Sequence, residues 1–320
     1  MPWGVAADRL GERWVLAAGL GACGLTLAVI AGVEQFWSLV LLLALAGAFG
    51  ASVSAASGRA VMHWFGPEER GLALGVRQTA IPAGGLVAAL VLPQLSVDGA
   101  FLFLGVFCLA GALVGALVIR EHDPDGIETE TVPWTLRDRR LWVLCLGSGL
   151  YVVGQVALIG FAVLYLHDER GLSKGAAAAV LAVVQVGAVA LRIGMGRWSD
   201  LLRKRIVPLR LIGLFTSTAM AVVTVLLSAP LALLLPAIVV AGAFSMAWNG
   251  LSFTAAAEFA GHRRSGAAIG VQQSVISAVG VAASPAFAVA VAATSWRAAY
   301  AVAAVFPLVG WLALRPLRDR

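Results

Sequence analysis

Charge is scarce in this chain: Asp, Glu, Lys and Arg make up 12% of its 320 residues, where soluble domains carry about a quarter. Lysine occurs only at Lys174 and Lys204, beside abundant arginine. Cysteine is limited to Cys23, Cys108 and Cys145, whose spacing is neither paired nor metal-like, so these read as small packing residues and not as a disulfide framework. His63, His122, His167 and His262 lie in or beside loops without ligand spacing, and no metal site is expected. A Gly-rich phosphate loop ending in Lys-Ser or Lys-Thr is missing, which removes support for ATP-driven chemistry. No acid, base and nucleophile set gathers on one side, so neither an enzyme nor a cofactor is expected. Met1 to Gly4 show no basic region followed by an apolar one, and no signal peptide is read there.

What is abundant is apolar: 60% of residues are hydrophobic and the mean hydropathy is +0.91. A soluble fold cannot hide that much apolar surface, whereas a bilayer core takes about 20 such residues per helical crossing. The runs are continuous and rich in Ala, Leu and Gly, without the alternation of a barrel wall. The fold class is therefore all-α integral membrane, with about ten transmembrane helices over 14–33, 36–62, 71–95, 100–119, 141–166, 175–198, 206–228, 231–257, 266–293 and 298–314. Arginines cluster in alternate connections: Arg9 with Arg13, Arg70, Arg137 with Arg139 and Arg140, Arg203 with Arg205, Arg263 with Arg264, and Arg318 with Arg320. That side is expected to be cytoplasmic. Positive charge so placed orients a membrane protein, and a nucleic-acid partner is discounted.

Residues 120–140 contain Pro124, Gly126 and Pro133 among acidic and basic residues, which predicts a cytoplasmic linker between a partial N-terminal bundle (1–119) and a C-terminal six-helix bundle (141–320). The two parts repeat one another. Gly4, Asp8 and Arg13 recur in spacing as Gly196, Asp200 and Arg205; Gly71, Gly75, Val76, Gln78, Ile81 and Gly85 recur as Gly266, Gly270, Val271, Gln273, Ile276 and Gly280. Two motifs in one order argue against chance and for two pseudo-symmetric halves.

The run Gly4-x-x-x-Asp8-Arg9-x-Gly11-x-Arg13 resembles the loop motif between the second and third spans of the major facilitator superfamily. The stretch from Trp64 and Pro67 through Arg70, Gly71, Arg77, Gln78 and Pro82 to Gly85 resembles the fourth-to-fifth span junction of bacterial members. The resemblance implies a transporter of twelve spans in two halves, of which this sequence begins at the end of span two. A misplaced start codon and a true truncation both account for that. It also implies that Asp8 faces the start of the span near Gly266 and Asp200 the start of the one near Gly71. Asp8, Arg9, Arg13, Asp200, Arg203 and Arg205 would then form a cytoplasmic gate, and the competing reading is plain topology signals and loop ion pairs.

Arg77 lies six residues beyond Gly71, about 9 Å into its helix, where charge is costly unless it faces a cavity or a partner. It reads as a contact for an anionic substrate group or for an acidic residue on a missing span, or as a cytoplasmic-end arginine that snorkels or braces the gate; Arg192, one turn before Gly196, reads as a snorkelling arginine. With Arg77, the substrate path is assigned Gln78, Tyr151, Gln155, Gln185, Trp248, Asn249, Gln272 and Gln273, polar groups at the depth where transporter sites lie, although buried amides also simply tie helices together. Gly84 and Gly85 after Pro82 only partly match the signature of drug-proton antiporters, and the arginine of their fourth span has no counterpart near Gly47. No mid-membrane Asp or Glu offers a proton site. The expected activity is secondary transport of a small solute, an organic anion being one candidate, in the cytoplasmic membrane, with the lipid bilayer and a small-molecule substrate as partners and a coupling ion as a candidate third. The alternatives are a non-transporting remnant or scaffold, a drug antiporter, and a membrane enzyme.

Overall fold

The computed structural model describes residues 2–120, 138–261 and 264–319. Every regular element among them is helical: α1 (Pro2–Leu10), α2 (Glu12–Ile30), α3 (Phe36–Gly50), α4 (Ser52–Trp64), α5 (Arg70–Gln78), α6 (Ala80–Val91) and α7 (Val97–Val118), then α8 (Arg139–Gln155), α9 (Phe161–Asp168), α10 (Lys174–Leu202), α11 (Ile206–Leu226), α12 (Leu231–Ser245), α13 (Trp248–Ala260), α14 (Ser265–Ala293) and α15 (Trp296–Ala313). Among the described residues nine stretches are long and apolar enough to cross a membrane, with α3–α4, α8–α9 and α12–α13 each forming one. Their outward residues are large and apolar: Trp37, Val225 and Val281 are 73%, 74% and 76% exposed, a surface suited to lipid and not to water. The protein is multi-pass. The linker expected at 120–140 falls, from 121 to 137, outside the described residues.

The span expected over 71–95 is divided into α5 and α6 at Thr79. Pro82 explains the division, because it has no N–H to offer the carbonyl of Gln78 four residues earlier. Thr79 tightens the turn there, its N–H at 3.0 Å and its hydroxyl at 2.7 Å both donating to the carbonyl of Val76. A second break falls between α12 and α13, where the N–H groups of Met246 and Ala247 turn back three residues to Ala243 and Phe244. A third irregularity, one wide turn at Val156–Gly160, joins α8 to α9 directly after Gln155. Wide turns of this kind recur at functional sites.

Two compact units share the chain, each assembled from three segments. One comprises Met1–Gly66, Gly84–Thr135 and Ala256–Gln273. In it α2 lies along α7, and Gly24 and Gly105 meet so closely that a Cβ on either would come within 2.8 or 2.9 Å of the other's carbonyl oxygen. Small residues are what allow helices to approach in lipid, where no hydrophobic force drives them together. Ala7, Val15, Leu16 and Ala56 form the core beside them.

The other unit comprises Pro67–Ala83, Leu136–Ala255 and Ser274–Arg320. Its α11 packs against α15 and α12, and its α10 against α5. Aromatic rings fill one end: Phe161 and Phe287 lie 4.7 Å apart, Tyr165 and Trp296 5.3 Å. The Tyr165 hydroxyl is satisfied by the carbonyl of Leu227 at 2.6 Å.

Candidate functional site

Each unit holds one carboxylate on the first turn of a helix. In the first unit the N–H groups of Gly266 and Ala267 donate to Asp8 at 3.1 and 2.8 Å. In the second, those of Gly71 and Leu72 donate to Asp200 at 2.9 and 2.7 Å. Helix N-termini carry unpaired N–H groups and a positive dipole end, so an aspartate there is held by about 0.3–1 kcal/mol at the surface and by more where partly buried. Glycine makes the approach possible. A Cβ on Gly4 would run into the carbonyl of Gly266, and one on Gly196 into that of Gly71.

The spacing of the two motifs is the same, but their arginines diverge. Arg205 reaches back to Asp200 at 2.5 Å and to the Pro67 carbonyl at 2.5 Å. Its counterpart Arg13 instead donates to the carbonyl of Ala116, at 2.6 Å, near the negative end of α7. Asp8 takes its guanidinium from Arg59 of α4, 3.2 Å away, which also pairs with the buried Glu12; His63 stands 3.5 Å from Glu12. Burial pushes the Asp8 carboxyl above its ordinary value of 3.8, against the pull of the Ala267 N–H, of Arg59 and of the Gly266 N–H. Arg203 makes an exposed pair with Glu68 at 2.6 Å. Arg9 is exposed and makes no polar side-chain contact among the described residues, so the structure does not bring it to Asp8.

A polar cluster lies deeper in the second unit, at the two helix breaks. Arg192 does not snorkel. It is 2% exposed; its Nε donates to the Met246 carbonyl at 2.8 Å and its Nη1 to the Gln78 carbonyl at 2.5 Å. The break at Pro82 left the second of these carbonyls without its helical donor, and the break after Ser245 exposes the first. The Gln78 side chain accepts in turn from Arg77 Nη1 at 3.0 Å. Gln78 therefore joins two guanidinium groups at one level of the fold, and Arg77 is not alone in its depth.

Tyr151, Gln155 and Trp248 gather nearby. The Trp248 indole N–H donates to Gln155 at 3.2 Å and its ring meets Tyr151 edge-on at 6.1 Å, while the Tyr151 hydroxyl donates to the Leu209 carbonyl at 3.3 Å. Asn249 is buried with its Oδ1 unpartnered, and Gln185 Oε1 is likewise unpartnered. Gln272 and Gln273 belong to the first unit, with Gln272 fully buried and Gln273 half-buried.

Three participants escape a reading of the sequence alone. Arg59 sits inside an apolar run, 47 residues from its partner Glu12, and the signal was only that a charge so placed needs one. Arg192 was visible as a residue but not its acceptors, although Pro82 standing four positions after Gln78 does announce a free carbonyl. Asp319 accepts from the N–H groups of Arg205, Ile206 and Val207 at 2.6, 2.6 and 3.2 Å, capping α11 and holding the backbone of the arginine that braces Asp200.

A family model described as Major Facilitator Superfamily matches residues 1–285. An uncharacterized MFS-type transporter of Mycobacterium tuberculosis is 31% identical over 331 residues, covering 99% of this chain and 72% of the relative. A hexuronate transporter of Bacillus subtilis is 24% identical over 187 residues, 53% of this chain and 44% of its own length. Among solved structures, the human organic anion transporter MFSD10 superposes with a TM-score of 0.80 at 15% identity, covering 98% of this chain and 79% of that one. The transporter FucP in its outward conformation gives 0.75 at 17% identity, with 98% and 85% covered. At such identities these structures establish the fold alone.

Proposed function

This chain belongs to the major facilitator superfamily, whose members move small molecules through membranes, and from that premise we propose that it carries a small organic anion across the cytoplasmic membrane by alternating access. The observation that carries the anion is Arg77. It lies in the broken α5–α6 span, where its Nη1 donates to Gln78 at 3.0 Å, and a guanidinium fork is the side chain best matched to a carboxylate. The relative named for hexuronate, a carboxylated sugar, supports an acid of that size. In this reading Asp8 and Asp200 close the cytoplasmic side, each releasing two backbone N–H groups when it opens.

Transport assays test the reading directly. The full chain in liposomes is offered labelled glucuronate or labelled glucose, which differ in one carboxylate. Glucuronate is expected to enter faster, and Arg77→Gln is expected to cut its flux about tenfold, the loss of one charge-assisted contact. Equal fluxes for acid and sugar, or an acid flux indifferent to Arg77→Gln, would sink the anion reading.

A further inference from the structure

Arg192 is a buried cation that lacks an anion. Its two bonds go to uncharged backbone carbonyls, and its Nη2 is buried without a partner. Among the described residues no carboxylate contacts it. A buried charge is normally paired, and removing a guanidinium from water for two neutral acceptors leaves most of its demand unmet. Its surroundings do not relieve this. Gly75 lies so close that a Cβ there would meet the Arg192 carbonyl at 2.6 Å, so the backbone is fixed against α5, and the other guanidinium held by Gln78 is a like charge.

The face of α10 that carries Arg192 also carries Gln185, seven residues and two turns earlier, with Ala188 between them. Both polar residues present an atom without a partner. Asn249, three positions beyond the Met246 carbonyl that holds Arg192, presents a third, the acceptor Oδ1. A guanidinium donor and two amide oxygens left unpartnered within one unit match a molecule that has both a carboxylate and hydroxyl groups: the carboxylate for the arginine, the hydroxyls for the amides.

We propose that Arg192 is a substrate-binding residue for the carboxylate of a hydroxylated organic acid, resting on the two helix-break carbonyls when no acid is bound. The proposal rests on the anion reading above and adds a second cation, from a different helix, to the one already assigned to Arg77. Carbonyls suit the resting role. They hold the guanidinium in place but, being neutral, yield to a carboxylate, which forms shorter and stronger bonds with it.

Binding to the full chain in lipid nanodiscs distinguishes the two arginines. The melting temperature is followed against glucuronate and against glucose for the unaltered chain, Arg77→Gln, Arg192→Gln and Arg192→Lys. Glucuronate alone is expected to raise it. Arg192→Gln is expected to weaken apparent affinity roughly tenfold or more. Arg192→Lys keeps charge without the fork and is expected to lose several-fold while melting near the unaltered chain; it decides the matter should Arg192→Gln fail to fold. Glucuronate affinity lost in Arg77→Gln but unchanged in both Arg192 variants would make Arg192 a brace only and leave the anion reading standing. No glucuronate response in the unaltered chain would overturn both.

Discussion

Arg203 adopts φ 51°, the left-handed region, and the position matching it in the first motif is Gly11 at φ 84°. Both positions turn at positive φ but with different ψ, 157° at Gly11 and 36° at Arg203, and the left-handed backbone of the latter costs an arginine about 1–2 kcal/mol. Its pair with Glu68 is exposed at both ends and offsets little of that. Arg203→Gly is therefore expected to leave thermal stability unchanged or raise it by up to about 1 kcal/mol, the relief exceeding the extra freedom of the unfolded chain. A clear loss on melting would mean that the Glu68 pair matters more than the strain.

Asp8 yields a prediction in pH. Its folded-state value lies above 3.8, so the native chain holds this proton more tightly than the unfolded chain does. The stability it contributes is greatest below 3.8 and declines as pH rises through the folded value. As pH rises from 3.8 through the folded value the native protein should lose stability relative to Asp8→Asn, which cannot ionise. Parallel melting curves of the two proteins across that window would contradict the assignment.

Among the elements, the contacts of α1 with α14 and of α10 with α5 depend on four glycines standing in for side chains. Gly196→Ala would set a Cβ against the carbonyl of Gly71, which is backbone and cannot rotate aside. Overpacking of this kind costs about 1–3 kcal/mol. Faster amide exchange is expected at Gly71 and Leu72, whose N–H groups then lose Asp200. Gly21→Ala, with nothing within 4 Å of the added carbon, is the matched control. Unchanged protection of Gly71 and Leu72 in Gly196→Ala would show that the helix start does not depend on this contact.

For the whole molecule, the spans were legible because apolar runs of helical length have one stable use in a bilayer. The division of the 71–95 span was latent in Pro82, but composition alone reads an apolar run as continuous. Asp8 and Asp200 could be paired with their helix starts because repeat spacing and family resemblance agreed. The divergence of Arg13 from Arg205 was hidden, since equal spacing cannot tell that Arg59 already occupies Asp8 from another helix. Arg192 was hidden for a different reason: its acceptors are main-chain carbonyls, which no residue type marks, freed only where two helices break.

A guanidinium without a carboxylate partner at span depth also makes its surroundings electrically positive, and the bilayer around it sustains a voltage. Each unit charge moved across is worth about 2.3 kcal/mol per 100 mV. The charge on Arg192 stays with the protein, so a lone monovalent acid carried past it would move one full negative charge per turnover. The inside-negative potential of a living cell would then drive that acid outward. Uptake against that voltage would need either an inward acid gradient steep enough to exceed it or a cation travelling with the acid, and more than one cation for the voltage itself to favour entry.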